Sequence, residues 1–517
     1  MDLFIKLGML VLFFGVTIAI GLYCRKHSTD VNGFVLGGRS VGPWLTAFAY
    51  GTSYFSAVVF VGYAGQFGWK YGIAATWAGI GNALLGSLLA WAVLGRRTRV
   101  MTQHLDSATM PQFFESRFKS PALKLAASAI VFIFLIPYTA SLYNGLSRLF
   151  AMAFDIDYAW CVIIMAILTA VYVIAGGYMA TAINDFIQGI IMIVGIVAVI
   201  AAVLNSNGGF LNALDLLGQV EDATVSSTPG VFASFFGPDP VNLLGVVILT
   251  SLGTWGLPQM VQKFYAIKNE KQIGKGMIIS TIFAMVVAGG CYFLGGFGRL
   301  YDVNVTAEGF DAVIPTMLSG LPTVLIALVV VLVLAASMST LSSLVLTSSS
   351  TLTLDFIKGR IVKDMDEKKQ LLVMRALIVV FIVISVVLAI VQHKSSVTFI
   401  AQLMGVSWGA LAGAFLAPFL YGLYWKRATK ASVWCSFIFS TVVMLLNIVA
   451  KSAFPAILQS PINAGAFCML AGLVIVPVVS LITPKPDKAH VDSVFSCYDR
   501  TVTVHVTDSI GEAADNN

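Results

Sequence analysis

Apolar stretches long enough to cross a lipid bilayer recur from one end of this chain to the other, with only short polar segments between them. A hydrocarbon layer about 30 Å thick is crossed by a helix of about 20 apolar residues. Inside that layer every backbone amide and carbonyl must be paired within the chain, which helices achieve segment by segment. Runs bounded by polar or Gly/Pro clusters give about thirteen spans, near residues 3–23, 43–66, 72–95, 122–150, 157–176, 183–204, 235–260, 274–297, 313–352, 370–392, 397–424, 430–450 and 462–482. The expected fold is therefore an all-α polytopic membrane protein. Composition agrees: of 517 residues, 58% are apolar and 11% charged, with a mean hydropathy of +0.89, whereas about a quarter of a soluble domain is charged. No long polar linker divides the apolar part, so residues 1–482 read as one membrane domain and 483–517 as a polar tail to which no function is assigned.

The net charge of +6 is distributed by topology and gathers on no single basic face, which excludes a nucleic-acid partner. Arg25, Lys26 and Arg39 fall in one loop, and Arg96, Arg97, Arg99, Arg117, Lys119 and Lys124 in the next but one. Further alternate loops hold Lys263, Lys268, Lys271 and Lys275, then Lys358, Arg360, Lys363, Lys368, Lys369 and Arg375, then Lys426, Arg427 and Lys430. The intervening loops are nearly bare, and residues 205–240 carry Asp215, Glu221, Asp222 and Asp239 with no Lys or Arg. The positive-inside rule then puts the N-terminus outside and the C-terminus in the cytoplasm of a plasma-membrane protein. The first span is longer than a signal-peptide core and has Asp2 before it and Arg25 after it, so it reads as a retained helix. The six cysteines are scattered, with neither C-x-x-C nor zinc spacing. The sequon Asn304-Val305-Thr306 lies on the expected outer side, although so short a motif is common by chance.

Three features carry chemistry. Asp185 opens a span in Gly176-Gly177-Tyr178-Met179-Ala180-Thr181-Ala182-Ile183-Asn184-Asp185; an ionisable group at membrane depth is a functional candidate, and the plainer reading is an acidic first turn complementing the helix dipole. The stretch from Ala335 to Ser343 is rich in hydroxyls, and Ala336, Ser339, Thr340, Ser343, Thr347 and Ser350 share one stripe at helical spacing. Helix packing explains any one of these serines, while so dense a cluster of neutral oxygens suits a hard cation such as sodium. Finally, Tyr50-Gly51-Thr52-Ser53-Tyr54 and Gly253-Thr254-Trp255-Gly256-Leu257-Pro258 interrupt two spans. Freed carbonyls persist in a membrane only where protein or a cavity surrounds them, and transporters use such breaks to hold substrate and ion; a ligand-free kink is the alternative. The breaks fall in the second and seventh spans, an offset of five, which is what two inverted five-helix repeats would give after one leading span. Phosphate loops, metal-ligating histidine pairs and nucleophile–base constellations are missing from the sequence, so neither ATP-driven pumping nor enzyme activity is expected.

At these residues the chain resembles the sodium/solute symporter family, which includes bacterial sodium/proline, pantothenate and sialic acid carriers and the animal sodium/glucose carriers. The supporting segments are Phe34-Val35-Leu36-Gly37-Gly38-Arg39-Ser40, Thr109-Met110-Pro111-Gln112-Phe113-Phe114, the Asp185-Phe186-Ile187-Gln188 segment, Met338-Ser339-Thr340-Leu341-Ser342 and Gly422-Leu423-Tyr424-Trp425-Lys426-Arg427. The resemblance implies a leucine-transporter-like core with inverted five-helix repeats over about 43–204 and 235–424. It implies Na+ at a main site made by Thr52, Phe55, Ala336, Ser339 and Thr340, and in some members a second sodium at Asp185, Ser342 and Ser343. The solute would lie near Tyr54, Ser56, Tyr138, Thr254 and Trp255. Tyr54 stands where the sodium/proline symporter has an aspartate, and Thr250 and Thr254 stand where it carries aromatics, which argues against proline. The span near 122–150 has no arginine before Arg148, which argues against sialic acid.

The expected function is sodium-coupled symport of a small organic solute into the cell, with the bilayer and the solute as partners and no obligate protein partner. Proton coupling through Asp185 is one rival. A non-transporting solute sensor is the other, for which a tail of about 35 residues is short against the 50 or so of the smallest domains.

Overall fold

Two glycines decide how the longest apolar helices divide. In the computed structural model, which describes residues 2–25, 29–154, 157–358, 361–362, 364–395 and 400–499, ten continuous helices are apolar and long enough to cross a bilayer, and the bent pair Pro240–Gly256 and Pro258–Ala266 adds an eleventh. Two of the ten, Val58–His104 and Tyr158–Ser206, have 47 and 49 residues. At about 1.5 Å per residue each is more than twice the hydrocarbon thickness. Each contains a glycine outside helical geometry, Gly72 at φ 61°, ψ −142° and Gly177 at φ 55°, ψ −149°. A side chain at Gly177 would be strained at that φ and would also place its Cβ 2.9 Å from the Phe34 carbonyl oxygen. Dividing both helices there, and counting Pro43–Tyr54 with residues 58–71 as one span broken at Phe55, gives thirteen spans among the described residues, in the order the apolar runs led us to expect. One boundary differs: Val313–Ser319 is a separate short helix, and the span begins at Thr323, after Gly320 and Pro322.

Burial sorts the spans. The helix Thr323–Thr351 is buried at every residue from Val329 onward, and Ile400–Tyr424 is enclosed almost throughout. Both pack against the helix Pro121–Phe154, and Thr323–Thr351 also meets Pro43–Tyr54 and Tyr158–Ser206. By contrast Glu367–Ser395 lies at the margin, where Val379, Val383, Val387 and Val391 form an exposed stripe one turn apart; in a bilayer that stripe meets lipid.

The polar tail is partly folded. Lys488–Phe495 forms a helix whose Val491, Val494 and Phe495 are buried, His104 contacts the Ser493 carbonyl at 2.9 Å, and the Tyr498 hydroxyl donates to the Arg97 carbonyl at 3.1 Å. Residues 500–517 of the tail lie outside the described residues.

Candidate functional site

The first break is built around two residues that leave the helical ladder. The helix Pro43–Tyr54 stops at Phe55, which is extended at φ −84°, ψ 119°, and the Ser56 hydroxyl accepts from the Val58 amide at 3.3 Å where the chain turns back into helix. The carbonyls of Thr52 and Phe55 are thereby released from helical partners and face the serine-rich helix. Thr340 Oγ1 lies 3.1 Å from the Thr52 oxygen, 3.2 Å from that of Phe55 and 3.1 Å from that of Ala336. Ser339 Oγ lies 3.2 Å from the Thr52 oxygen and 3.0 Å from that of Ala336. All five groups expected at the main ion site therefore converge, and all are fully buried. Three carbonyls and two hydroxyls are neutral, hard donors, a set that fits sodium.

One turn further along the same helix the chemistry changes. The Asp185 carboxylate is buried and accepts no hydrogen bond among the described residues. Its ionic neighbour is Lys263, whose Nζ lies 3.9 Å from Asp185 Oδ2, donates to Ser343 Oγ at 3.0 Å and sits 5.0 Å from the centre of the Tyr178 ring. Ser343 also bonds Ser53 at 3.0 Å, which ties this cluster to the first broken helix. Ser342 donates back to the Ser339 carbonyl at 2.8 Å within its own helix. The sequence placed Lys263 in a cytoplasmic loop; the structure corrects that, because the 45° bend after Gly256 carries the half-helix Pro258–Ala266 inward with Lys263 buried in it. Its run of apolar and amide neighbours, Met260-Val261-Gln262-Lys263-Phe264-Tyr265, was the available signal.

The residues expected around the solute do not all meet. Tyr138 is buried, its ring perpendicular to Trp408 at 5.9 Å, and its hydroxyl makes no hydrogen bond among the described residues. Thr254 and Trp255 turn the other way: Thr254 Oγ1 donates to the Gly86 carbonyl at 2.8 Å and Trp255 Nε1 to that of Leu85 at 2.9 Å, so both fasten the second broken helix to its neighbour. The side chain of Tyr54 lies outside the described residues. Sequence reasoning missed Trp408, and it missed Gln259, buried beside the second break with both amide atoms unpartnered among the described residues.

On the side carrying the basic loops, the two broken helices are latched together. The Val41 amide donates to the Ala266 carbonyl at 3.2 Å and the Lys268 amide to that of Val41 at 2.9 Å. Arg39 donates to the carbonyls of Tyr265 at 3.2 Å and Ser107 at 2.7 Å, and Arg99 to that of Ile267 at 2.5 Å. Burial, with a smaller contribution from the nearby Arg99, lowers the Arg39 guanidinium from its ordinary value.

Residues 34–440 match the model of the sodium:solute symporter family. The chain is 28% identical to the osmoregulated proline transporter OpuE of Bacillus subtilis, over 94% of this chain and 96% of that one. It is 30% identical to sodium/proline symporter 2 of Staphylococcus saprophyticus, over 85% of each. Among solved structures, a Na+-coupled sialic acid symporter in a substrate-bound outward-open state superposes with a TM-score of 0.71 at 17% identity, over 94% of this chain and 99% of that one.

Proposed function

The chain belongs to the sodium:solute symporter family and is a multi-pass, sodium-coupled solute symporter; from that premise we propose which groups hold the ion, where the solute sits and in which direction both move. Sodium binds the carbonyls of Thr52, Phe55 and Ala336 with the hydroxyls of Ser339 and Thr340. The observation that carries this reading is the convergence of those five neutral oxygens at the point where the first helix breaks.

The mechanism follows from where the five groups come from. Thr52 and Phe55 belong to the first repeat, and Ala336, Ser339 and Thr340 to the second, so an ion held between them fastens one repeat to the other. The solute lies against the same break, near Ser56, Tyr138, Trp408 and Gln259. Ion and solute thus bias one arrangement of the helices, and each raises the other's affinity by the same factor. Outside, abundant sodium fills the site and favours solute capture. When the Val41–Ala266 latch opens, low cytoplasmic sodium empties it, and the solute leaves with its partner gone. The N-terminus is outside, the C-terminus cytoplasmic, and net movement inward.

The solute is a small polar organic molecule. Proline, which the Bacillus and Staphylococcus relatives carry, is the first to test, and other compact amino acids come next, because Tyr54, Thr250 and Thr254 replace residues of the sodium/proline symporter at the breaks. In proteoliposomes, an inward sodium gradient at fixed pH on both sides drives labelled uptake. Uptake that follows a proton gradient and ignores sodium would transfer coupling to Asp185.

A further inference from the structure

Lys263 sits where a second sodium would bind. Its ammonium reaches Ser343 Oγ at 3.0 Å and Asp185 Oδ2 at 3.9 Å, two of the three groups expected to hold that ion, and it is buried together with Asp185. A carboxylate removed from water needs a compensating positive charge, and the ammonium supplies one. A free sodium drawn to the same oxygens would meet the ammonium at contact distance, where two like charges with little water between them repel strongly. The third expected ligand, the Ser342 hydroxyl, is engaged with the Ser339 carbonyl at 2.8 Å and points along its own helix.

We infer that Lys263 is a tethered cation that takes the place of a second sodium, so that each transport cycle couples one sodium to one solute. The inference rests on the sodium-coupled reading above and adds its stoichiometry. It also gives the second broken helix a mechanical part. Lys263 lies six residues past Leu257, on the half-helix Pro258–Ala266, and the next residue back fastens that half-helix by Gln262, which accepts from Thr347 Oγ1 at 2.8 Å and donates to the Val35 carbonyl at 3.2 Å. A diffusible ion leaves its site in each cycle, whereas this one can move only with its helix.

The test counts ions directly. Equilibrium binding of radioactive sodium to purified protein, with transport stoichiometry from reversal potentials in proteoliposomes, should give about one sodium per wild-type protein. Lys263→Ala exposes Asp185 and Ser343 and should raise the count to about two, while the charge-neutral pair Asp185→Asn with Lys263→Gln should return it to one. Two sodium ions on the wild type overturn the inference while leaving sodium coupling intact, as does a count of one on folded Lys263→Ala. Where Lys263→Ala does not fold, the wild-type count decides, together with Asp185→Asn: a fall in the count on that change makes Asp185 a sodium ligand and sinks the role given to the lysine. No bound sodium on the wild type overturns both readings together.

Discussion

Two polar arrangements lie one helical turn apart on the same buried helix and solve opposite problems. Around Ser339 and Thr340 five neutral oxygens meet with no formal charge among them. Around Ser343 a carboxylate and an ammonium are buried as a pair. A neutral cradle can take up an ion and release it, because emptying it leaves only hydroxyls that hydrogen-bond to the neighbouring carbonyls. The charged pair cannot be emptied in that way, since removing either member leaves an uncompensated charge out of water. The first arrangement is therefore suited to reversible binding and the second to permanent neutralisation.

The largest effect that would separate the two falls on the charged pair. Asp185→Ala strands the Lys263 ammonium and should lower stability by about 3–5 kcal/mol, the usual penalty for breaking a buried pair, read as a drop in the unfolding temperature of purified protein. Removing both charges with Asp185→Asn and Lys263→Gln should recover most of that loss; a double variant as unstable as the single one would break the comparison. At the neutral cradle, Thr340→Ala deletes one of the proposed ligands and should raise the sodium concentration for half-maximal uptake about tenfold, equivalent to about 1.4 kcal/mol, with stability little changed. Thr340→Ser keeps the hydroxyl and should restore most of the affinity. Smallest is Ser342→Ala, whose hydroxyl is committed to its own helix; half-maximal sodium should move less than about twofold, since the bond lost is worth under about 0.5–1.5 kcal/mol and is not made to the ion.

The same contrast explains what could be read from the sequence. Spans are legible because bilayer thickness fixes their length, and the glycines that divide the two longest helices mark their boundaries in the chain itself. Of the neutral cradle only the parts were legible, a hydroxyl stripe from Ala336 through Thr340 and an interrupted helix at residues 50–54; joining them into one ion site came from the family resemblance, because the two segments lie 288 residues apart in the chain, from Thr52 to Thr340. Lys263 was hidden by its neighbours. Lys268, Lys271 and Lys275 follow it closely, so charge counting swept it into their loop, and only the 45° bend, a three-dimensional fact, puts it inside. Thr254 and Trp255 illustrate another limit. Proximity to a break was readable, but which way the side chains of a broken helix turn is set by packing against Leu85 and Gly86, far away in sequence. The docked tail is a third case: Val491, Val494 and Phe495 share one face, a stripe too short to stand out in a polar segment.

The account stands or falls on sodium binding at the neutral oxygens, and binding stabilises the state that binds. The most direct test is the unfolding temperature of purified protein titrated with sodium chloride against choline chloride at constant ionic strength. Wild type should rise with the logarithm of sodium concentration, and Ser339→Ala combined with Thr340→Ala should lose that rise while Asp185→Asn with Lys263→Gln keeps it. A sodium-dependent rise that persists in the Ser339, Thr340 variant, or vanishes in the Asp185, Lys263 variant, would place the ion elsewhere and contradict the account.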